Sequence, residues 1–199
     1  MLAEAMEKRV ESGHNILYLL QDMQDFELYG TVRAVISVCD SMNYLTDEED
    51  LEYVFALVNN YLDPGGLFVF DMNTIHKYRD VIGDTTIAED REDGSFIWEN
   101  SYDQEKNLNV YELALFLPRE DGLYEKCEEE HVQRAYSIET IKRMIEKAGM
   151  ELVAVYDAYT RNPGDENCER LTFIAREHGK SAENEYHGRI PERAGHTEE

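Results

Sequence analysis

Cysteine is scarce in this chain. Three residues among 199 are cysteines, Cys39, Cys127 and Cys168, and they are widely spaced without a CxxC pair. An odd number of distant cysteines does not build a disulfide framework, and no histidine stands at ligand spacing from any of them. We therefore expect three reduced thiols and no metal site.

Long hydrophobic runs are also missing. No apolar run approaches the ~20 residues that cross a bilayer, and the N-terminal segment MLAEAMEKRVESG has no basic stretch followed by an apolar block. The sequence thus predicts no membrane partner and a cytoplasmic location. Hydrophobic residues nevertheless make up 42% of the chain, which is typical of a folded domain with a core rather than of a disordered chain.

Basic residues are few. The chain has 19 Lys and Arg against 43 Asp and Glu, for a formal net charge of −24. Such a charge repels phosphate backbones, so nucleic acid is excluded as the expected partner. The excess acid is explained by solubility alone, and an acidic cleft for a cationic substrate remains the alternative.

Helices alternate with short apolar strands in the first part of the chain. Apolar residues at helical spacing predict a helix over 2–12, and a capping box of Thr46 and Glu49 begins a second helix that ends before Pro64. Strands are predicted at 16–20, 34–39 and 67–72. This order is typical of a parallel α/β sheet.

The pattern of apolar residues changes between residues 85 and 136. Alternating apolar residues separated by EDG, QEKN and EDG predict an antiparallel β-meander. A helix from Ser137 to Gly149, two strands in 151–159 and 170–177, and a disordered tail over 178–199 complete the prediction. Trp98 and Phe116, expected to be exposed, make a homodimer through the meander compatible with the sequence.

Three predicted strands end at an aspartate: Asp22, Asp40 and Asp71. In open parallel sheets, ligands bind beyond the carboxyl ends of the strands. Three converging carboxylates would repel one another, and a cationic ligand would relieve that repulsion. The alternative is that aspartate simply caps the turn wherever a strand ends.

These segments resemble a known family. VRAVISVCDSMNYL, LDPGGLFVFDMNT, YSIETIKRMIEKAGMELVAVY and RLTFIARE are similar to class I S-adenosylmethionine-dependent methyltransferases of the small-molecule type that carry a β-meander lid. The resemblance covers residues 1–177 and implies a Rossmann-like α/β sheet, mostly parallel with an antiparallel C-terminal hairpin, into which the meander is inserted. It further implies S-adenosylmethionine as cofactor and methyl transfer to nitrogen or oxygen of a small-molecule acceptor.

The resemblance also implies a set of site residues. Asp22 matches the acid that accepts the adenine amino group, and Met23 lies where the adenine ring is covered. Cys39-Asp40-Ser41 matches the turn at the methionine end of the cofactor, and Asn43 and Tyr44 would face the substrate. The resemblance assigns no general base.

The family's glycine-rich loop, its ribose-binding acid and its first two strands would precede Met1, so the resemblance implies an N-terminally truncated domain. A catalytically silent binding or oligomerisation module of the same fold is therefore the alternative function. A dehydrogenase is a weaker alternative, because no GxGxxG follows any predicted strand. Proton acceptors remain open among five side chains: Asp40, Tyr44, Tyr102, Tyr124 and His131.

Overall fold

Two four-stranded β-sheets form the framework of the protein, and the computed structural model describes residues 1–180. The predicted disordered tail lies outside the described residues from residue 181 onward. The structure is a mixed α/β arrangement, as the sequence indicates, and residues 1–180 contain three α-helices beside the sheets.

The first sheet is built from the two ends of the chain. Its strands are β1 (Val32–Ser37), β2 (Leu62–Asn73), β7 (Met150–Asp157) and β8 (Arg170–Glu177), in the order β1-β2-β8-β7. Within residues 1–180 only the β1–β2 pairing is parallel, and the β2–β8 and β7–β8 pairings are antiparallel. The described part of the sheet is therefore not mostly parallel, because the C-terminal hairpin supplies half of its strands.

The three helices form where apolar spacing predicts them: α1 (Leu2–Ser12), α2 (Glu48–Tyr61) and α3 (Ile138–Lys147). Asp47 rather than Thr46 caps α2, and its Oδ1 accepts the Glu49 N–H at 2.8 Å. Ser137 caps α3 as predicted, with its hydroxyl accepting the Thr140 N–H. None of the helices within residues 1–180 is long and apolar enough to cross a bilayer.

The predicted strand over 16–20 is wrong. These residues have no regular secondary structure, and Leu17 and Leu20 are 65% and 88% exposed. A strand is stable only beside a hydrogen-bonded neighbour, and none of the described strands pairs with this segment. The apolar stripe of α1 is likewise uncovered, since α1 has no buried residue.

The second sheet is the predicted meander, with its four strands in sequence order and every pairing antiparallel. Its strands are β3 (Thr86–Arg91), β4 (Gly94–Asp103), β5 (Leu108–Pro118) and β6 (Tyr124–Arg134). Trp98 and Phe116 are half-buried, which corrects the expectation that they are exposed. One face carries a buried polar row of Asn100, Asn109 and Gln133, and it faces the first sheet.

A cluster of phenylalanines forms the centre of the core. Phe70 on β2 is fully buried, and its ring lies 4.6 Å from that of Phe68, 5.1 Å from that of Phe55 on α2 and 5.1 Å from that of Phe173 on β8. Helices α2 and α3 pack over this cluster on the same side of the sheet. The carboxyl ends of β1 and β2 are thereby held rigidly.

Candidate functional site

The chain leaves β1 through a left-handed turn. Cys39 and Asp40 have φ angles of 63° and 51°, a region that costs a non-glycine residue about 1–2 kcal/mol. The buried Asp71 carboxylate at the end of β2 stabilises this turn, with Oδ1 accepting the Asp40 N–H at 2.7 Å and Oδ2 accepting the Cys39 N–H at 3.3 Å. Strained backbone of this kind is often found at functional sites.

Arg170, the first residue of β8, joins the two carboxylates. Its guanidinium lies 2.7 Å from Asp40 Oδ1 and 3.3 Å from Asp71 Oδ1. Burial alone would lower the pKa of Arg170, but the hydrogen bond to Asp40 and the charges of both aspartates raise it. The cation that relieves the repulsion between these aspartates is therefore part of the chain, whereas the sequence suggested a ligand.

A line of polar side chains ties the second sheet to this turn. Gln133 of β6 donates to Asp40 Oδ2 at 2.7 Å and accepts the Tyr78 hydroxyl at 2.7 Å. Asn73 in turn donates to the Tyr78 oxygen at 3.0 Å, and Lys77 donates to Asn73 at 3.1 Å. Burial, followed by the charge of nearby Arg170, lowers the pKa of Lys77. The two sheets thus share one hydrogen-bonded network.

Buried phenols make the protein sensitive to alkali. Burial raises the pKa values of Tyr78, Tyr111 and Tyr136 far above the usual value of a phenol. A raised folded-state pKa contributes stability that is present below the unfolded pKa of about 10 and is lost as pH rises toward the folded value. We expect the free energy of unfolding to fall steeply above about pH 10, and the phenolate absorbance of these three tyrosines to appear together with the loss of tertiary structure. Reversible ionisation of all tyrosines near pH 10 in an intact fold would contradict this prediction.

An aromatic cluster lies beyond the network, where the second sheet covers the turn. The Tyr44 hydroxyl is 2.8 Å from His131 Nδ1 and 3.2 Å from the Tyr111 hydroxyl. The ring of Tyr111 stacks on that of His131 with centroids 4.5 Å apart, and Trp98 lies 4.7 Å from Tyr111. Glu129 Oε2 is 3.2 Å from His131 Nε2. Tyr44 and His131, two of the candidate proton acceptors, are thus in contact.

The other candidate proton acceptors are not in this cluster. Tyr102 donates to Asn107 in the β4–β5 turn. Tyr124 is 61% exposed at the start of β6, seven residues along the strand from His131, or roughly 24 Å at 3.4 Å per residue. The Asp40 carboxylate is engaged by Arg170 and Gln133. Of the five candidates, Tyr44 and His131 are the pair in direct contact.

The predicted cofactor and substrate residues have different surroundings. Asp22 is exposed, and its Oδ1 accepts the Gln24 N–H at 2.8 Å. Met23 packs against the core cluster, and Ser41 donates to the Val38 carbonyl at 2.9 Å. Asn43 was expected to face the substrate but is fully buried. Its amide bonds the Asn73 backbone and the Arg134 carbonyl, which gives it a structural role.

Sequence analysis missed Arg170 and Gln133. A usable signal existed for Arg170, because the first residue of a final antiparallel strand lies at the carboxyl end of its neighbour, and Asn73 and Arg170 are indeed register partners. Gln133 has a weaker signal as a polar residue on the inward face of a strand.

The charges at this rim suit a cationic ligand. The carboxylates of Asp40, Asp71 and Glu169 and the cations of Arg170 and Lys77 influence one another, which leaves one net negative charge. A cofactor with a sulfonium and an ammonium group would be attracted there. The exposed Asp22 carboxylate adds a hydrogen-bond acceptor on the loop before β1.

Comparison with known proteins identifies the family. No protein-family model matches the chain. It is 32% identical over 176 residues to the Bacillus subtilis (strain 168) protein named "Putative methyltransferase YqeM", a match that covers 88% of this chain and 70% of that relative. The chain belongs to the class I S-adenosylmethionine-dependent methyltransferases.

Solved structures agree with this assignment. An S-adenosylmethionine-dependent methyltransferase from Clostridium acetobutylicum ATCC 824 superposes with a TM-score of 0.83 at 28% identity, covering 89% of this chain and 71% of that one. CalS10 of Micromonospora echinaspora, an amino pentose methyltransferase solved with the cofactor bound, has a TM-score of 0.60 at 17% identity. That match covers 79% and 63% of the two chains and shows a shared fold. The protein is a methyltransferase with S-adenosylmethionine as its cofactor.

Proposed function

We propose that this methyltransferase acts on nitrogen or oxygen of a small-molecule acceptor held between the carboxyl ends of β1 and β2 and the second sheet. The contact between Tyr44 and His131 carries the proposal. Tyr44 is the last residue of a short 3₁₀ helix (Ser41–Tyr44) that directly follows the left-handed turn. His131 belongs to β6. Their 2.8 Å contact brings the second sheet against the turn that, on this proposal, lies at the methionine end of the cofactor.

On this proposal the cofactor lies along Asp22, Met23 and the turn Cys39-Asp40-Ser41. The bound cofactor supplies an activated methyl group, and the protein's task is to hold the acceptor in line with it. Asp22 accepts hydrogen bonds, and the backbone of the left-handed turn is fixed by Asp71. Tyr44 faces the acceptor, and the buried Asn43 holds the 3₁₀ turn in place.

The domain division of the proposal follows from these contacts. Residues 1–177 form one methyltransferase unit, and residues 85–136 form a lid inserted into it. Support comes from the hydrogen bond between Gln133 and Asp40, which ties the lid to the turn. CalS10 is named as an amino pentose methyltransferase, and an acceptor of that class is compatible with the proposal.

Replacing Asp22 by asparagine tests the cofactor side. The substitution keeps the oxygen that accepts the Gln24 N–H but removes the charge, and a hydrogen bond to a charged group is worth about 1.5–3 kcal/mol. We expect calorimetry to show S-adenosylmethionine binding to the unaltered chain and a 10- to 100-fold weaker affinity for Asp22→Asn, as that energy implies. Asp25→Asn, in the same exposed loop, is the matched control. Equal affinity of all three chains would remove Asp22 from the site.

A binding or oligomerisation module is the second candidate, and one observation favours it. Ile36 and Val38 are 68% and 53% exposed beside the edge of β1 that pairs with no other strand of residues 1–180, and exposed apolar edges promote association. Sedimentation of the chain, together with calorimetry against S-adenosylmethionine, separates the candidates. A stable homodimer that produces no heat with the cofactor would favour the second candidate.

A further inference from the structure

We propose that Glu129, His131 and Tyr44 form a proton relay that takes a proton from an ammonium acceptor, so that the methyl acceptor is a small amine. This inference rests on the proposed function and names its acceptor. Tyr44 comes from the 3₁₀ turn, and Glu129 and His131 lie two residues apart on β6. Contacts of 3.2 Å and 2.8 Å join the three side chains.

The direction of the relay follows from the hydrogen-bonding capacity of each group. An ionised carboxylate only accepts hydrogen bonds, so the Glu129 contact places the ring proton of neutral His131 on Nε2. Nδ1 is then an acceptor and takes the hydrogen bond of the Tyr44 hydroxyl. The Tyr111 hydroxyl, 3.2 Å away, then donates to one lone pair of the Tyr44 oxygen. The other lone pair is left for a donor on the acceptor, and Tyr44 is 41% exposed. A base that is oriented by a carboxylate and hydrogen-bonded to a hydroxyl is the usual arrangement in sites that activate a hydroxyl.

The proton balance is complete. An ammonium acceptor gives one proton to the Tyr44 oxygen as the Tyr44 proton passes to His131 Nδ1, and Glu129 stabilises the resulting imidazolium. The neutral amine then forms its bond to the methyl carbon as the carbon–sulfur bond of S-adenosylmethionine breaks. The products are a methylated ammonium and S-adenosylhomocysteine, and His131 later returns its proton to solvent.

The chemistry of the cluster favours an amine over an alcohol. The pKa of an ordinary imidazolium lies about 4 units below that of a primary ammonium, but about 9 units below that of water-like hydroxyls. The relay can bridge the first gap far more readily than the second. The indole of Trp98 also attracts a cation, and Glu129 supplies negative charge. His131 is the single member of the five-residue cluster that can become positive.

The site carries its own reporter, because Trp98 is the one tryptophan of the chain and lies 4.7 Å from Tyr111. Trp98 fluorescence would be titrated at neutral pH with cyclohexylamine and with cyclohexanol, which share shape but differ in charge. We expect the amine to bind at least tenfold more tightly. Equal binding, preference for the alcohol, or no response to the amine would overturn the inference.

Transfer to cyclohexylamine, followed by mass spectrometry, tests the relay itself. General base catalysis contributes about 10²–10⁴ in rate, so His131→Gln should lose at least 100-fold and also lose the rise in rate with pH. Tyr44→Phe should lose a similar factor, since it breaks the path to His131. His76→Gln is the matched control, because His76 also contacts a carboxylate, Asp80, at 2.9 Å outside the cluster.

The outcome of the transfer experiment tests whether the relay exists. If His131→Gln keeps the rate and pH profile of the unaltered chain, or if the bound amine is not methylated, the relay is wrong. Calorimetry with S-adenosylmethionine, which does not depend on the acceptor, reports on the proposed function separately. Cofactor binding without amine selectivity would leave methyl transfer standing and remove the amine.

Discussion

Asp71→Asn should abolish measurable S-adenosylmethionine binding and lower the free energy of unfolding by about 3 kcal/mol, near the lower end of the cost of breaking a buried ion pair. The side chain of Asp71 is 3% exposed and bonds both N–H groups of the left-handed turn and the guanidinium of Arg170. An amide has one oxygen for these donors, and its own N–H₂ group would face one of them. The turn at residues 39 and 40 would then lose its support.

Calorimetry with S-adenosylmethionine and urea denaturation measure the two effects. Asp103→Asn is a suitable control, because the exposed Asp103 accepts the Glu105 N–H in a turn of the second sheet and asparagine keeps that acceptor. If Asp71→Asn bound the cofactor like the unaltered chain, the left-handed turn would not belong to the cofactor site.

Helices and strands that are specified by neighbouring residues were predictable from the sequence. The spacing of apolar residues defines α2 and α3, and Ser137 caps α3 because a hydroxyl at that position satisfies a free N–H. The strand predicted over 16–20 was wrong because an apolar run indicates only that its side chains favour burial. Whether a neighbouring strand is present to receive it is a property of the rest of the fold.

The polar turns at the ends of β1 and β2 were predictable, but their internal bonding was not. Asp40 and Asp71 do meet, yet Arg170 joins them from 130 residues further along the chain. Positive φ angles at Cys39 and Asp40 also have no sequence marker, because neither residue is glycine. Such contacts depend on strand order and register, which single-sequence patterns do not specify.

The sequence also did not indicate that Tyr44 and His131 are in contact. Each was a candidate for its chemistry alone, and nothing in the sequence separated them from Tyr102 or Tyr124. The register of β5 with β6, which pairs Tyr111 with His131, selects them by placing the histidine opposite the 3₁₀ turn. The chemistry of the residues thus limited the candidate proton acceptors to a few side chains, and the strand topology determined which of them are in contact.

Phe70→Ala should produce the largest loss of stability, about 3–5 kcal/mol, as large-to-small substitutions of buried phenylalanines do. Phe70 is fully buried and contacts the rings of Phe55, Phe68 and Phe173. Removing its ring leaves a cavity between β2, β8 and α2 that rigid neighbours cannot fill. Because total stability is about 5–15 kcal/mol, a loss of this size removes a large share of the free energy of unfolding.

Urea denaturation of Phe70→Ala and Phe70→Leu provides the measurement and its control. Leucine keeps most of the buried volume, so its loss should be clearly smaller than that of alanine. The two variants should share the denaturant dependence of the unaltered chain, since the surface exposed on unfolding changes little. A loss below about 1 kcal/mol for Phe70→Ala would mean that the core relaxes around the missing ring and that the ends of β1 and β2 are not held as rigidly as the site requires.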